Sequence, residues 1–212
     1  QEINAAGGVL GKDVVLVEGD SGDTENKVAP TTVQTLLSKN VDGIIGAASS
    51  SVSLSMVDTI ATAGVVMFSP ANTSKKFSTY DDKGLYFRDA PSDILQGSVL
   101  ADTIIGDGKS SVYVLALNDD YGTGLADDLE GSLKDGGGEV VGKKIYDPKA
   151  ADYSTEVQEA KDSGADAIAL IGFDESSKIL TKMVEQGVDI SSVYGVDGNM
   201  GNALGENFDA GK

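Results

Sequence analysis

The sequence predicts an α/β protein made of two doubly wound parallel-sheet lobes. Three observations lead there. Short β-branched apolar runs alternate with segments of helical periodicity along the whole 212 residues. The runs are continuously apolar rather than alternating, the pattern of strands covered on both faces. The alternation breaks once, near residues 89–93, and restarts after Pro91, which divides the chain at 1–91 and 92–212.

Each element follows from local chemistry. Residues 14–17, Val-Val-Leu-Val, read as the first strand. Asp23 or Thr24 is placed to cap a helix that runs through Leu37, with Val28, Val33, Leu36 and Leu37 on its apolar side. Residues 43–45 form a second strand. A helix over 50–63 follows and stops at Gly64. Residues 65–68 are a third strand, ended by Ser69-Pro70, and 85–88 a fourth. The second half predicts helices over 93–105, 122–134, 154–163 and 176–186. Its strands fall at 111–117, 139–146, 167–171 and 193–194, with a Gly136-Gly137-Gly138 turn before the second of them.

Composition removes whole classes of function. There is no Cys and no His, so disulfides, thiol nucleophiles, imidazole bases and most zinc sites are excluded. Gly-x-Ser-x-Gly is also missing, and no nucleophile–base–orienter set can be assembled. The expectation is a non-enzyme without metal or cofactor. Net charge is −18, from 34 acidic and 16 basic residues, and the acids are scattered as on a solvated surface. Such a surface repels nucleic acid and anionic membranes. No apolar run approaches the roughly 18 residues of a membrane span. Gln1-Glu2-Ile3-Asn4 reads as helix interior rather than as a charged-then-apolar leader.

In doubly wound sheets ligands sit beyond the carboxyl ends of the strands. Five loops there stand out. Gly46-Ala47-Ala48-Ser49-Ser50-Ser51 carries small residues into a row of hydroxyls. At a helix start, backbone N–H groups lack internal partners, so a carboxylate or phosphate can accept from them and from a serine. Taken by themselves the serines favour the simpler reading, that Ser49 or Ser50 caps the helix. Ser51 and Ser53 are expected to serve only the helix. The loop Ser69-Pro70-Ala71-Asn72-Thr73-Ser74 has the same character at the next strand end, and the two together suggest a clamp for one small anion.

Asn118-Asp119-Asp120-Tyr121-Gly122-Thr123-Gly124 contains a Gly-x-Gly, but the third glycine of a dinucleotide fingerprint would fall at Asp127. The paired acids would also repel a pyrophosphate. Tyr121 reads instead as a cleft tyrosine or as part of a plain turn. Gly172-Phe173-Asp174-Glu175-Ser176 is the start of a helix with acids in its first turn. Asp197, between Gly195 and Gly198 after the last strand, is a turn aspartate or a partner for an ammonium group.

These stretches, in this order, resemble the periplasmic leucine/isoleucine/valine-binding proteins, the substrate-binding components of branched-chain amino acid ABC importers. The resemblance runs from Glu2-Ile3-Asn4-Ala5-Ala6-Gly7-Gly8 through Val41-Asp42-Gly43-Ile44-Ile45-Gly46 and Met67-Phe68-Ser69-Pro70-Ala71-Asn72-Thr73. It continues in Phe87-Arg88-Asp89-Ala90-Pro91-Ser92-Asp93 with Gln96-Gly97, and in Asn118-Asp119-Asp120-Tyr121-Gly122. It implies the type I periplasmic-binding fold, two lobes closing on a ligand, here incomplete at both ends. It implies that Ala48, Ser49 and Ser50 hold an amino acid's carboxylate, and that Ala71, Asn72 and Thr73 form the second binding loop. By the same resemblance Tyr121 is the far-lobe tyrosine, and Asp197 pairs with the α-ammonium where the best-known members have Glu. Phe173 stands where members often have tyrosine, so a hydroxyl contact is lost there. The implied partners are an amino-acid ligand and ABC permease subunits, in the periplasm or outside the cell, with lipid anchoring one means of retention. A sensing domain that uses the same clamp is the alternative.

Overall fold

The computed structural model describes residues 1–24 and 26–208. The chain forms two compact units, Gln1–Pro70 with Asp81–Arg88, and Ala71–Tyr80 with the chain from Asp89 onward. The segment Ala71–Tyr80 thus packs with the second unit although Asp81–Arg88, which follows it in sequence, belongs to the first.

In the first unit the order is α1 (Glu2–Ala5), α2 (Ala29–Ser38), β1 (Gly43–Ile45), α3 (Ser50–Leu54), α4 (Val57–Thr62), β2 (Val66–Ser69) and β3 (Tyr86–Arg88). The sheet runs β1-β2-β3 and is parallel throughout. Ile44, Met67 and Tyr86 share its buried face, while Ile45, Phe68 and Phe87 lie exposed on the other. The prediction of sheets covered on both faces is therefore corrected for this unit: among the described residues one face is open.

Three local predictions change as well. Residues 14–17 do not form a strand, and Val15 and Leu16 are about four-fifths exposed, at 81% and 80%. A strand requires a neighbour for its N–H and C=O groups. Here Asn4 takes that place at Val14, accepting its N–H at 2.7 Å and donating to its carbonyl at 2.9 Å. The helix expected from Asp23 begins instead at Ala29, with Pro30 in its first turn. Asp23 and Asn26 accept each other's backbone N–H groups, closing a turn that competes with helix initiation. The helix over 50–63 is broken at Ser55–Met56, where the Ser55 hydroxyl donates to the Val52 carbonyl at 2.6 Å.

The second unit contains α5 (Asp93–Gly106), β4 (Ser111–Leu117), α6 (Asp120–Asp135), β5 (Glu139–Tyr146), α7 (Ser154–Asp162), β6 (Ala167–Ile171), α8 (Ser176–Glu185), β7 (Val193–Tyr194) and α9 (Asn202–Asn207). Its sheet, β5-β4-β6-β7, is parallel. All four strands match their predicted limits. β6 is buried at every residue and β4 from Val112 to Leu117, the signature of central strands covered on both faces. Ile104 of α5, Leu125, Leu129 and Leu133 of α6, and Met183 of α8 complete the core. Helix α6 starts two residues before its predicted limit because Asp119 caps it, its Oδ1 accepting the Gly122 N–H at 2.7 Å. The fold is α/β with two parallel sheets, as the sequence predicts.

Candidate functional site

In the first unit the loop between β1 and α3 is built by small residues and hydroxyls. Ser49 is the N-cap, extended, and its side chain accepts the Val52 N–H at 3.4 Å. That is the capping role the sequence left open between Ser49 and Ser50. Ser50 opens the helix and is buried; Ala48 is exposed. Parallel pairing sets the ends of β1 and β2 side by side, with the Gly46 N–H on the Phe68 carbonyl at 2.9 Å. Ser69 then donates to the Ala47 carbonyl at 2.7 Å. Ser53, fully buried, accepts the Ala47 N–H at 3.1 Å, and its hydroxyl lies 3.3 Å from the Ala47 carbonyl. The expectation that Ser53 serves only its helix is therefore corrected: it holds the loop in front of the helix.

In the second unit, Asn72 and Thr73 are buried and Ala71 is exposed. The segment is tied down on both sides. The Thr73 carbonyl accepts the Asp93 N–H at 2.8 Å. Lys75 pairs with Asp128 of α6 at 2.5 Å, and Lys76 pairs with Asp120.

Asp93, the first residue of α5, is wholly buried. Its Oδ1 accepts from the Gln96 amide nitrogen at 3.0 Å, and its Oδ2 is buried without a hydrogen-bond partner. Burial pushes this carboxyl up to about 6; hydrogen bonds from Thr73 and Gln96 oppose the rise, and the Asp197 and Asp128 carboxylates add to it. The other end of the Gln96 amide accepts the Asp197 backbone N–H at 3.0 Å.

Asp197 opens a 3₁₀ turn, Asp197–Asn199, after β7. Its Oδ1 accepts the Tyr121 hydroxyl proton at 2.6 Å, and that hydroxyl accepts the Gly198 N–H at 3.1 Å. Burial first, then the Asp197 carboxylate, push the Tyr121 phenol well above its ordinary range, so it remains a donor. A β-carbon on Gly198 would come within 2.7 Å of both the Tyr121 hydroxyl and the Gly172 carbonyl, so only glycine lets the turn approach this closely. The Tyr121 ring stacks on Phe173, centroids 5.2 Å apart at 19°. Asn199 pins the turn from below: its Oδ1 accepts the Val196 N–H at 2.9 Å, and its Nδ2 donates to the Leu170 carbonyl at 2.8 Å and to Ser176 at 3.2 Å.

Of the residues singled out in sequence, the structure brings Tyr121, Phe173 and Asp197 into one cluster, and links Thr73 to it through Asp93 and Gln96. Ala48, Ser49 and Ser50 belong to the other unit. Asp93, Gln96 and Asn199 were not predicted as site residues. The i, i+3 spacing of Asp93 and Gln96 at a helix start was the available signal; nothing local marks Asn199. Chemically, the cluster is a carboxylate held by a permanent phenol donor, with a second buried carboxyl nearby and an aromatic stack alongside. That suits a small cation rather than an anion. Among the described residues no group of carboxylates is arranged to hold a metal ion.

Known proteins share this architecture. A family profile described as "Periplasmic binding protein" matches residues 1–211. The chain is 30% identical over 211 residues to Leu/Ile/Val-binding protein homolog 7 of Brucella abortus, covering 93% of this chain and 52% of that protein. It is 27% identical over 199 residues to Leu/Ile/Val-binding protein homolog 3 of Brucella melitensis, covering 92% and 53%. Among solved structures, it is similar to the branched-chain amino acid transporter substrate-binding protein LivJ of Streptococcus pneumoniae in complex with isoleucine. The TM-score there is 0.84 at 26% identity, over 97% of this chain and 58% of that one. The leucine-binding protein LivK of Thermotoga maritima shares the fold at a TM-score of 0.89 and 23% identity, over 98% and 59%. The chain spans about half the length of the curated relatives it matches. With two parallel-sheet units, hydroxyl-bearing loops at strand ends and a profile match along nearly all its length, this chain belongs to the periplasmic binding protein family.

Proposed function

We propose that the protein is the extracellular or periplasmic solute-binding component of an ABC importer, and that it binds a branched-chain or related small α-amino acid without transforming it. The observation that carries this reading is the Tyr121–Asp197 hydrogen bond of 2.6 Å. It fixes one carboxylate beside an aromatic stack in a chain whose relatives are named for binding leucine, isoleucine and valine.

The mechanism follows from charge. An α-amino acid carries an anion and a cation on neighbouring atoms. Its carboxylate takes donors from Ser50, with Ala48 and Ser49 leaving room for close approach, and from the Ala71-Asn72-Thr73 loop. Its ammonium takes Asp197, and the Thr73 hydroxyl, steered by Asp93, presents its lone pairs to the same group. Phe173 and Tyr121 supply apolar surface.

A thermal-shift screen of the twenty amino acids tests the reading. At a hundredfold excess over Kd, mass action adds about 2.7 kcal/mol, several degrees in Tm. Branched-chain amino acids are expected to give the largest shifts. A screen in which no amino acid moves Tm overturns the assignment.

A further inference from the structure

The geometry points to Gln96 as a positioning residue for the ammonium side of the site: its side-chain amide ties the Asp197 backbone to the Asp93 carboxyl and so sets the spacing between the Asp197 turn and the Thr73 loop. The inference deepens the amino-acid reading and rests on it.

Both ends of one planar amide are used. The oxygen accepts the Asp197 N–H at 3.0 Å and the nitrogen donates to Asp93 Oδ1 at 3.0 Å. Asp93 in turn reaches Thr73, its backbone N–H donating to the Thr73 carbonyl at 2.8 Å. Residues 73, 93, 96 and 197 thus form one chain of hydrogen bonds across sequence separations of 20 and 101 residues. Only a side chain that accepts at one end and donates at the other can close it, because Asp197 presents an N–H and Asp93 a carboxyl oxygen. Asn in place of Gln is one methylene short, and Glu lacks the donor. The Asp197 turn has two further restraints, Tyr121 on its carboxylate and Asn199 on its flank. Neither of these reaches the Thr73 loop. Gln96 supplies that connection, and it touches the backbone of Asp197 rather than the carboxylate that would meet a ligand.

Two measurements on Gln96→Met and Gln96→Glu test the role. Met keeps the length and helix propensity but neither hydrogen bond; Glu keeps the acceptor alone. In the ligand-free protein, residue-resolved NMR hydrogen exchange should show the Asp197 amide exchanging at least about tenfold faster in Gln96→Met, and near the native rate in Gln96→Glu. In calorimetric titrations, Gln96→Met should bind L-leucine and L-isoleucine about tenfold more weakly, while 4-methylpentanoate, which lacks the amine, changes less than twofold. A purely structural role would weaken all three ligands alike. Unchanged Asp197 exchange in Gln96→Met, equal release in Gln96→Glu, or equal losses for the amine-bearing and amine-less ligands would each overturn the inference. The native protein and Asp197→Asn in the same titrations separate the two levels. If the native protein binds neither leucine nor isoleucine, the amino-acid reading itself fails; if the native protein binds them but Asp197→Asn leaves that binding intact, or Asp197→Asn weakens it while Gln96→Met does not, only the positioning role fails.

Discussion

At the scale of single residues, burial decides which polar groups are fixed and which can titrate. Asp197 is exposed, but its orientation is set by a buried tyrosine that cannot ionise near neutrality. Truncating one partner of a desolvated charged pair costs about 2–5 kcal/mol of binding. Asp197→Ala is therefore expected to weaken amino-acid affinity by that amount in calorimetry, and to lower Tm of the ligand-free protein because the buried Tyr121 hydroxyl loses its acceptor; an unchanged affinity removes the residue from the site. Asp93 makes a prediction about pH. Its folded value of about 6 lies above its ordinary 3.8. Its contribution to stability is thus full below about pH 4 and is lost as pH rises through 6. Asp93→Asn cannot titrate and still accepts from Gln96. The Tm difference, variant minus native, is expected to move in the variant's favour between pH 4.5 and 8, by the equivalent of roughly 1–3 kcal/mol. Parallel Tm profiles would show that the carboxyl is not raised.

At the scale of elements, close approach and capping place the cluster. Helix α5 lies along α6 so tightly that a β-carbon on Gly97 would sit 2.9 Å from the Asp128 and Leu129 backbone. The same helix carries Asp93 and Gln96, so its seat controls the site. Gly97→Ala forces the helices apart and is expected to lower unfolding free energy by about 1–3 kcal/mol in urea titrations, with a parallel loss of ligand affinity. Undiminished stability would mean that the contact relaxes without cost. Capping behaves more simply: Asp119→Ala removes the acceptor for the Gly122 N–H and should cost about 1 kcal/mol.

Sequence legibility divides along the same line. The limits of β4 to β7 match the sequence prediction to the residue; β4 and β6 are continuous apolar runs buried on both faces, while β5, with Lys143 and Lys144 in it and an alternating burial pattern, is marked by the glycine turn before it. Residues 14–17 have the same composition and form no strand, because a strand exists only with a neighbour to pair with. Tyr121, Phe173 and Asp197 could be proposed singly from their places after strands. That they touch one another, over separations of 52 and 76 residues, could not. Ser53 is not legible in sequence, because a hydroxyl inside a helix gives no sign of whether it turns back to the helix or forward to the preceding loop.

For the whole molecule, a net charge of −18 on 212 residues is a standing self-repulsion. Some of the lysines form ion pairs, as Lys143 does with Asp127 and Glu130. Screening should therefore raise Tm between 10 mM and 500 mM NaCl, and a flat or falling Tm would show that the pairs outweigh the repulsion. By itself the sequence determined the α/β class, the alternation of elements, the absence of thiol and imidazole chemistry and the loops worth inspecting, since these rest on local periodicity and on residue types. Only the tertiary structure decided that Asp93 and Gln96 join Thr73 to Asp197, that Tyr121 remains a donor, and that Gly198 must be glycine. Those depend on distances between residues far apart in the chain and on the loss of water around them, and neither is encoded at any one position.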